Sequence, residues 1–327
     1  MKDAQSVDTG VGAQAGAAVV LPEAAGAATQ AAGGTAAQAP GVRRSLGPVA
    51  LVVAGGLSVQ FGAAVAVLLM PRAGALGVVT LRLVLAAVVL LAVCRPRLRG
   101  HSRNDWATVI TFGAAMGGMN MLFYQAVDRI PLGAAVTLEV LGPLALSVIA
   151  SRRLVNLLWA ALALGGVVLL GGGGFDRLDP VGAAFALAAG GMWAAYIIFS
   201  ARTGRRFPQA DGLALAMGFG ALLSLPFGLV EAGSRLFVPS TLGLGLAVAL
   251  MSSVLPYTLE LLALRRLPAA TFAVLMSLEP AIAATAGFLV LSQALSPAEG
   301  LAIVLVVVAS MGAVRTQAAA KQPAPPG

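Results

Sequence analysis

Two carboxylates lie deep inside long apolar runs, and each stands near a proline. Glu139 is about eight residues into the run 131–150, roughly 12 Å from its start at the rise of an α-helix. Glu279 is about eleven residues into the run 268–291, also near its middle. A charged group at that depth in hydrocarbon costs roughly 2.5–3.5 kcal/mol on insertion scales, so each acid is a functional suspect. A carboxyl facing a wet cavity can exchange a proton or hold an ammonium group. The alternative for Glu139 is a structural role, hydrogen-bonded to a neighbouring helix or kept neutral. Proline removes an i→i−4 hydrogen bond, so Pro143 frees the carbonyl of Glu139 and Pro280 frees that of Met276. Broken helices beside carboxylates serve as binding or hinge elements. The alternative for Glu279-Pro280 is a kink used only for packing.

Other polar groups share these depths. Arg82 lies about eight residues into the run 74–94. Its fork of donors suits a ligand carboxylate, and equally it could neutralise Glu139 or Glu279 as an ion-pair partner. Glu260 sits near the end of the run 240–264, where pairing with Arg265 or Arg266 explains it, the alternative being a place on a proton path. Uncharged candidates for a cavity lining are Gln60, Ser58, Asn120, Tyr124, Gln125, Tyr196, Ser252, Ser253, Tyr257, Ser277 and Thr285. Asn120 and Tyr124 are spaced i,i+4 and so share one helix face. Any one of these groups could instead bond helix to helix. Trp193, near the middle of its run, either walls a cavity or packs in a core. Pro256 joins Pro143 and Pro280 as a third candidate flex point.

These residues are positioned by a chain built for the bilayer. It has 327 residues, 59% hydrophobic and 10% charged, with mean hydropathy +0.92. A soluble domain carries about a quarter charged residues. Spans need about 20 residues each to cross a ~30 Å hydrocarbon core. Ten runs meet that need: 47–70, 74–94, 105–127, 131–150, 154–173, 180–201, 211–231, 240–264, 268–291 and 297–314. They are about twice the length of barrel strands and do not alternate. Pro, Gly and charge mark the breaks, as at Pro71-Arg72, Asp128-Arg129-Ile130-Pro131 and Arg205-Arg206-Phe207-Pro208. Residues 1–44 are rich in Ala, Gly, Gln and Thr, lack the features of a signal peptide, and are expected to be a disordered tail, as is 317–327.

With the amino terminus inside, the inner segments carry 15 basic residues besides Lys2 and the outer loops 4, a strong positive-inside bias. The net charge of +8 is therefore read as orientation on a membrane, not as nucleic-acid binding. An internal echo supports the span count. Ala126-Val127-Asp128-Arg129-Ile130-Pro131 matches Ala263-Leu264-Arg265-Arg266-Leu267-Pro268, and Val140-Leu141-Gly142-Pro143 matches Ser277-Leu278-Glu279-Pro280. A five-span offset inverts the orientation, and inverted repeats mark alternating-access transporters with a site at the repeat interface.

Several chemistries are disfavoured. One cysteine, Cys94, allows no intrachain disulfide, and the single histidine, His101, lies in a basic loop. No metal, no cofactor and no catalytic residue is expected. An intramembrane enzyme would show a nucleophile with a histidine, or an aspartate pair, inside the runs. Gly171 to Gly174 lack the Lys-Ser/Thr continuation of a phosphate loop. Gly113, Gly117 and Gly118, with Gly190 and Gly191, are expected to allow close helix contact.

Ordered motifs now support a family resemblance. They are Gly117-Gly118-Met119-Asn120 with Phe123-Tyr124, Pro131-Leu132-Gly133 through Leu138-Glu139 to Gly142-Pro143, and Ser151-Arg152-Arg153. Then come Leu255-Pro256-Tyr257 with Leu259-Glu260, Arg266-Leu267-Pro268, Thr271-Phe272, Leu275-Met276-Ser277-Leu278-Glu279-Pro280 and Ala309-Ser310-Met311-Gly312. From about Gly47 to Arg315 the chain resembles the EamA-type branch of the drug/metabolite transporter superfamily, and within it the threonine/homoserine exporters. The resemblance implies an all-α membrane protein of ten transmembrane helices, as two inverted five-helix repeats at 45–173 and 174–316. It implies export of a small zwitterionic amino acid, with a drug or metabolite efflux carrier of the same fold as the alternative. It also implies that spans 1, 3, 4, 6, 8 and 9 line a central cavity, which supports Glu139, Asn120, Tyr124, Trp193, Tyr257 and Glu279 as its lining. Such transporters often carry Gly-Glu after span 9, where this chain has Ser292-Gln293. The expected mechanism is proton antiport across a bacterial inner membrane, both termini cytoplasmic. Glu139 or Glu279 would exchange a proton for the substrate ammonium.

Overall fold

The computed structural model describes residues 43–151, 154–170, 179–207, 211–256, 259, 263, 267 and 269–320. These are helical throughout their ordered elements. In chain order the helices are α1 (Arg43–Cys94), α2 (Arg103–Val127), α3 (Leu132–Glu139), α4 (Leu141–Ser151), α5 (Leu154–Leu170), α6 (Pro180–Gly204), α7 (Asp211–Ala232), α8 (Pro239–Ala249), α9 (Ala269–Met276), α10 (Glu279–Leu291) and α11 (Pro297–Ala320). Six helical stretches are long and apolar enough to cross a bilayer: 47–94, 103–127, 180–204, 211–237, 271–291 and 297–316. Three shorter apolar stretches lie at 132–146, 155–170 and 239–254.

The first stretch is two helices joined by a sharp break. The sequence places that break at Pro71-Arg72, but Pro71 is inside a helical turn and the chain turns at Gly74 (φ 70°, ψ 167°). That φ is left-handed, which a glycine adopts without Cβ strain. The carboxylate of Glu231, from the C-terminal end of α7, packs against Gly74. It accepts from the backbone N–H groups of Leu76 at 2.6 Å and Gly77 at 3.0 Å. A helix start leaves its first N–H groups unsatisfied, and an anion there also complements the helix dipole. Glu231 thus caps the second half of α1 and ties it to α7, a role with no sequence signal because the partner is 155 positions away.

Helix pairs α1/α7, α2/α6, α5/α11, α2/α7 and α1/α8 make the main packing surfaces. Small residues set several of these distances. A Cβ on Gly113 would meet the carbonyl of Ala216 at 2.5 Å, and one on Gly117 would meet Gly220 at 3.1 Å. Gly118 has only ordinary contact with Met192, and Gly191 faces open space, so close packing is confined to part of the expected glycine set.

Polar ties connect segments far apart in sequence. Asp105 pairs with Arg206 at 3.2 Å. Trp159 Nε1 donates to Thr316 Oγ1 at 3.0 Å. Gln293 Oε1 accepts from Leu132 N–H at 3.0 Å. Ser292 ends α10 in the left-handed region (φ 54°), which turns Gln293 back toward the start of α3. The side chain at the position where the resemblance leads to a Gly-Glu expectation is therefore a neutral helix cap here.

The last helix extends past the expected start of an unstructured tail at Gln317, reaching Ala320. Gln317 and the three alanines after it are good helix formers and simply continue the turn. Residues 1–42 and Gly171 to Gly174 lie outside the described residues, as do Arg265, Arg266 and Glu260.

Candidate functional site

Two expected breaks in the helices hold the acids. The run 131–150 divides at Val140, between α3 and α4, and the run 268–291 divides at Ser277-Leu278, between α9 and α10. Glu139 is the last residue of α3 and Glu279 the first of α10. Pro143 supplies no N–H to the carbonyl of Glu139. That carbonyl lies against Gly190 of α6, where a Cβ would stand 2.5 Å from it. Reciprocally, a Cβ on Gly142 would collide with the backbone of Gly190. Only two facing glycines let the broken strand of helix approach α6 so closely.

A third irregularity lies between α8 and Pro256. Leu250–Val254 form a π-turn, in which Leu255 N–H reaches back to the Leu250 carbonyl. Pro256 has no N–H to offer the turn before it. Side chains of α1 take the spare carbonyls. Ser58 Oγ donates to Met251 O at 2.6 Å, and Arg82 Nη2 donates to Ser252 O at 2.9 Å.

Arg82 is held by further contacts. Nη1 donates to the Tyr124 hydroxyl at 3.3 Å and Nε to Ser253 Oγ at 3.4 Å. The guanidinium carbon is 5.7 Å from the centre of the Tyr124 ring, in cation–π range. Arg82 is the charged neighbour of Glu139, yet among the described residues no ion pair within 4.0 Å joins the two. Its first partners are a broken helix and a tyrosine.

These elements enclose a cavity of about 130 Å³. Its walls include Gln60, Arg82, Asn120, Glu139, Trp193, Tyr196, Ser252, Pro256 and Glu279. Glu139 and Glu279 are 9% and 7% exposed. Asn120 Nδ2 donates to Met116 O at 2.9 Å. Gln60 Oε1 and Ser252 Oγ are buried without a protein hydrogen-bond partner among the described residues. Buried polar atoms are nearly always satisfied, so two orphans on one cavity wall point to water or a ligand.

The cavity thus gathers nine of the residues singled out from sequence: Gln60, Arg82, Asn120, Glu139, Trp193, Tyr196, Ser252, Pro256 and Glu279. Tyr124 is not on the wall. It is fully buried behind Arg82 and positions it. Pro143 lines a neighbouring apolar pocket of about 50 Å³, which shares Trp193 and Met276 with the main cavity. Pro280 is buried in the first turn of α10, away from both walls. Tyr257 lies outside the described residues. Sequence reasoning passed over the apolar part of the wall, Val59, Ala63, Met119, Phe123 and Met276, because such residues are indistinguishable from lipid-facing or core ones before the helices are packed.

Comparison with known proteins agrees with this architecture. The EamA-like transporter family is matched over residues 180–315. The threonine/homoserine exporter RhtA of Escherichia coli (strain K12) is 41% identical over 271 residues, which is 82% of this chain and 92% of that protein. The same exporter of Salmonella typhimurium (strain LT2) is 40% identical over 282 residues, 85% of this chain and 95% of that protein. The transporter YwfM of Bacillus subtilis is 29% identical over 218 residues, 63% of this chain and 73% of that protein. A crystal structure at 18% identity superposes with a TM-score of 0.55, covering 84% of this chain and 99% of its own, a likeness of fold alone. Two relatives at 40% identity or more, matched over most of their length, establish that this membrane-spanning chain belongs to the EamA-like transporter family.

Proposed function

We propose that this protein exports small neutral amino acids of the threonine/homoserine kind across the bacterial inner membrane, in exchange for protons. The observation that carries the reading is the cavity that holds Arg82, Glu139 and Glu279 together with unpartnered amide and hydroxyl oxygens. A zwitterion asks for a cation and an anion within one small space. Three of the five guanidinium donors of Arg82 are used by described residues, which leaves two for a substrate carboxylate. Glu139 is the partner for the ammonium group and the proton carrier, with Glu279 as its counterpart on the other broken helix. Gln60 and Ser252 are placed on the wall to bind a side-chain hydroxyl. The size supports a small solute: about 130 Å³ is well below the 300–1,000 Å³ of sites for drug-sized ligands.

The working architecture is ten crossings in two inverted halves, 45–173 and 174–316, with both termini cytoplasmic and disordered tails before Arg43 and after Ala320. Two features support it. The helix breaks at Val140 and Ser277 are 137 positions apart, the same offset as the sequence echo. The polar ties also join only segments that the alternation places at one end. Alternating access follows from rocking of the halves around the site, with Pro143, Pro256 and Pro280 as flex points. A proton entering from outside discharges the ammonium group from Glu139, and return to the inside-open state releases the proton to the cytoplasm.

The test is counterflow of labelled threonine and homoserine in proteoliposomes with an imposed pH gradient. Export should accelerate when the side receiving the amino acid is made acidic. Glu139→Gln should abolish the response to the gradient. Flux indifferent to the gradient would remove the antiport claim, and unaltered transport by Glu139→Gln would remove that residue's role.

A further inference from the structure

We propose that the inner half of this protein carries a binding site for an anionic phospholipid, between the second half of α1, α2 and α7. A groove of about 470 Å³ lies there, with walls that include Val88, Leu91, Leu98, Trp106, Gly218 and Leu222. Its walls are almost entirely hydrocarbon, as an acyl chain requires. It starts near the middle of the span and ends beside the loop that joins α1 to α2, where Leu98 and Trp106 stand. Positive-inside orientation puts that end at the cytoplasmic leaflet. The proposal depends on this orientation and not on which solute is transported.

Scattered apolar residues on the outside of a membrane protein only meet ordinary lipid. This groove differs in the charge of the segment beside its end. Arg97, Arg99 and Arg103 are exposed there, and among the described residues none of their side chains makes a hydrogen bond or ion pair. Arg95 is exposed beside them and makes only a long bond, 3.4 Å, to the Ala92 carbonyl. The nearby acid Asp105 is already engaged, with Arg206 at 3.2 Å and with Ser102. Asp211 faces Cys94 at the start of α7 and leaves the local balance strongly positive. Trp106 adds a neutral donor. Its ring is held edge-on by His101 and Phe219, at 6.2 Å and 6.1 Å, while its indole N–H has no acceptor among the described residues. A phosphodiester headgroup at that point would lie beside the segment that carries Arg97, Arg99 and Arg103, with the indole N–H of Trp106 on the groove wall and its tail in the groove. Basic pockets between helices on the cytoplasmic side are suited to such headgroups.

The experiment uses the full chain in nanodiscs of phosphatidylcholine with increasing phosphatidylglycerol. Lipid retained on release into detergent is read by native mass spectrometry. Each arginine near the surface contributes roughly a fivefold preference for anionic lipid. Phosphatidylglycerol should therefore be retained over phosphatidylcholine by on the order of a hundredfold, and less at high salt. Arg97→Gln, Arg99→Gln and Arg103→Gln together should erase the preference while leaving some lipid bound. Gly218→Leu should remove both lipids, since a Cβ at Gly218 meets only Leu91 at 3.7 Å and the larger side chain projects into the groove. The salt series on the unaltered protein tests the charge component without any substitution. Equal retention of the two lipids at low salt, or a preference that survives both the arginine and the groove variants, overturns the site.

Discussion

Replacing Arg82 by Gln separates the two duties assigned to it. The first is structural. The bond to Ser252 O at 2.9 Å is of good length, while those to Tyr124 at 3.3 Å and Ser253 at 3.4 Å lie at the long edge of the range. A hydrogen bond to a charged group is worth roughly 1.5–3 kcal/mol in soluble proteins. Interhelical bonds in membranes average about 0.6 kcal/mol. One good bond and two long ones then give a stability loss of about 1–2 kcal/mol. The second duty is substrate binding. Losing a charge-assisted bond to the substrate carboxylate costs about 1.5–3 kcal/mol, which is a rise of roughly 10- to 150-fold in KM. Arg82→Lys keeps the charge but not the fork, so its KM should fall between wild type and Arg82→Gln. Tyr124→Phe removes one long bond that positions the guanidinium and should raise KM only a few-fold. Counterflow at varied substrate concentration gives KM and maximal rate, and thermal unfolding in detergent gives stability. If Arg82→Gln lowers the melting temperature but leaves KM unchanged, Arg82 is a staple for the π-turn and the carboxylate-binding assignment fails.

Two further expectations follow from packing. Gly190→Ala places a methyl group 2.5 Å from the Glu139 carbonyl, and backbone cannot rotate away, so a loss of at least 1–3 kcal/mol and of folded yield is expected. Gly191→Ala, one residue on in open space, is the matched control and should leave the stability within about 0.5 kcal/mol of wild type. Trp193 is shared by the cavity of about 130 Å³ and the pocket of about 50 Å³, so Trp193→Ala should merge them and admit larger apolar amino acids. Competition of labelled threonine by leucine or phenylalanine in the counterflow assay reads this out, and an unchanged competition profile contradicts the partition.

Much of the site was legible in the linear chain because burial of charge in hydrocarbon is so costly. Glu139, Glu279 and Arg82 stand out as charges within apolar runs, and the structure puts all three on one cavity wall. Proline gave the breaks in the two acid-bearing runs to within a few residues, since the missing N–H acts locally. It failed at Pro71, where a proline near a helix end is tolerated and a left-handed glycine three positions later makes the turn. The backbone partner of Arg82 was not legible, because that acceptor is a carbonyl exposed by a π-turn that no residue type announces.

The sequence by itself determined that the chain lives in a membrane, where its apolar runs begin and end, and which charges must have a purpose, because hydropathy and local backbone chemistry depend only on neighbours along the chain. Tertiary structure alone decided which partners meet. Glu231 reaches across 155 positions to cap the helix after Gly74, Gln293 closes the start of α3, and two glycines on different helices let the Glu139 carbonyl approach α6. Those contacts depend on how helices pack, and side chains brought together from distant positions carry no mark of it in their own order.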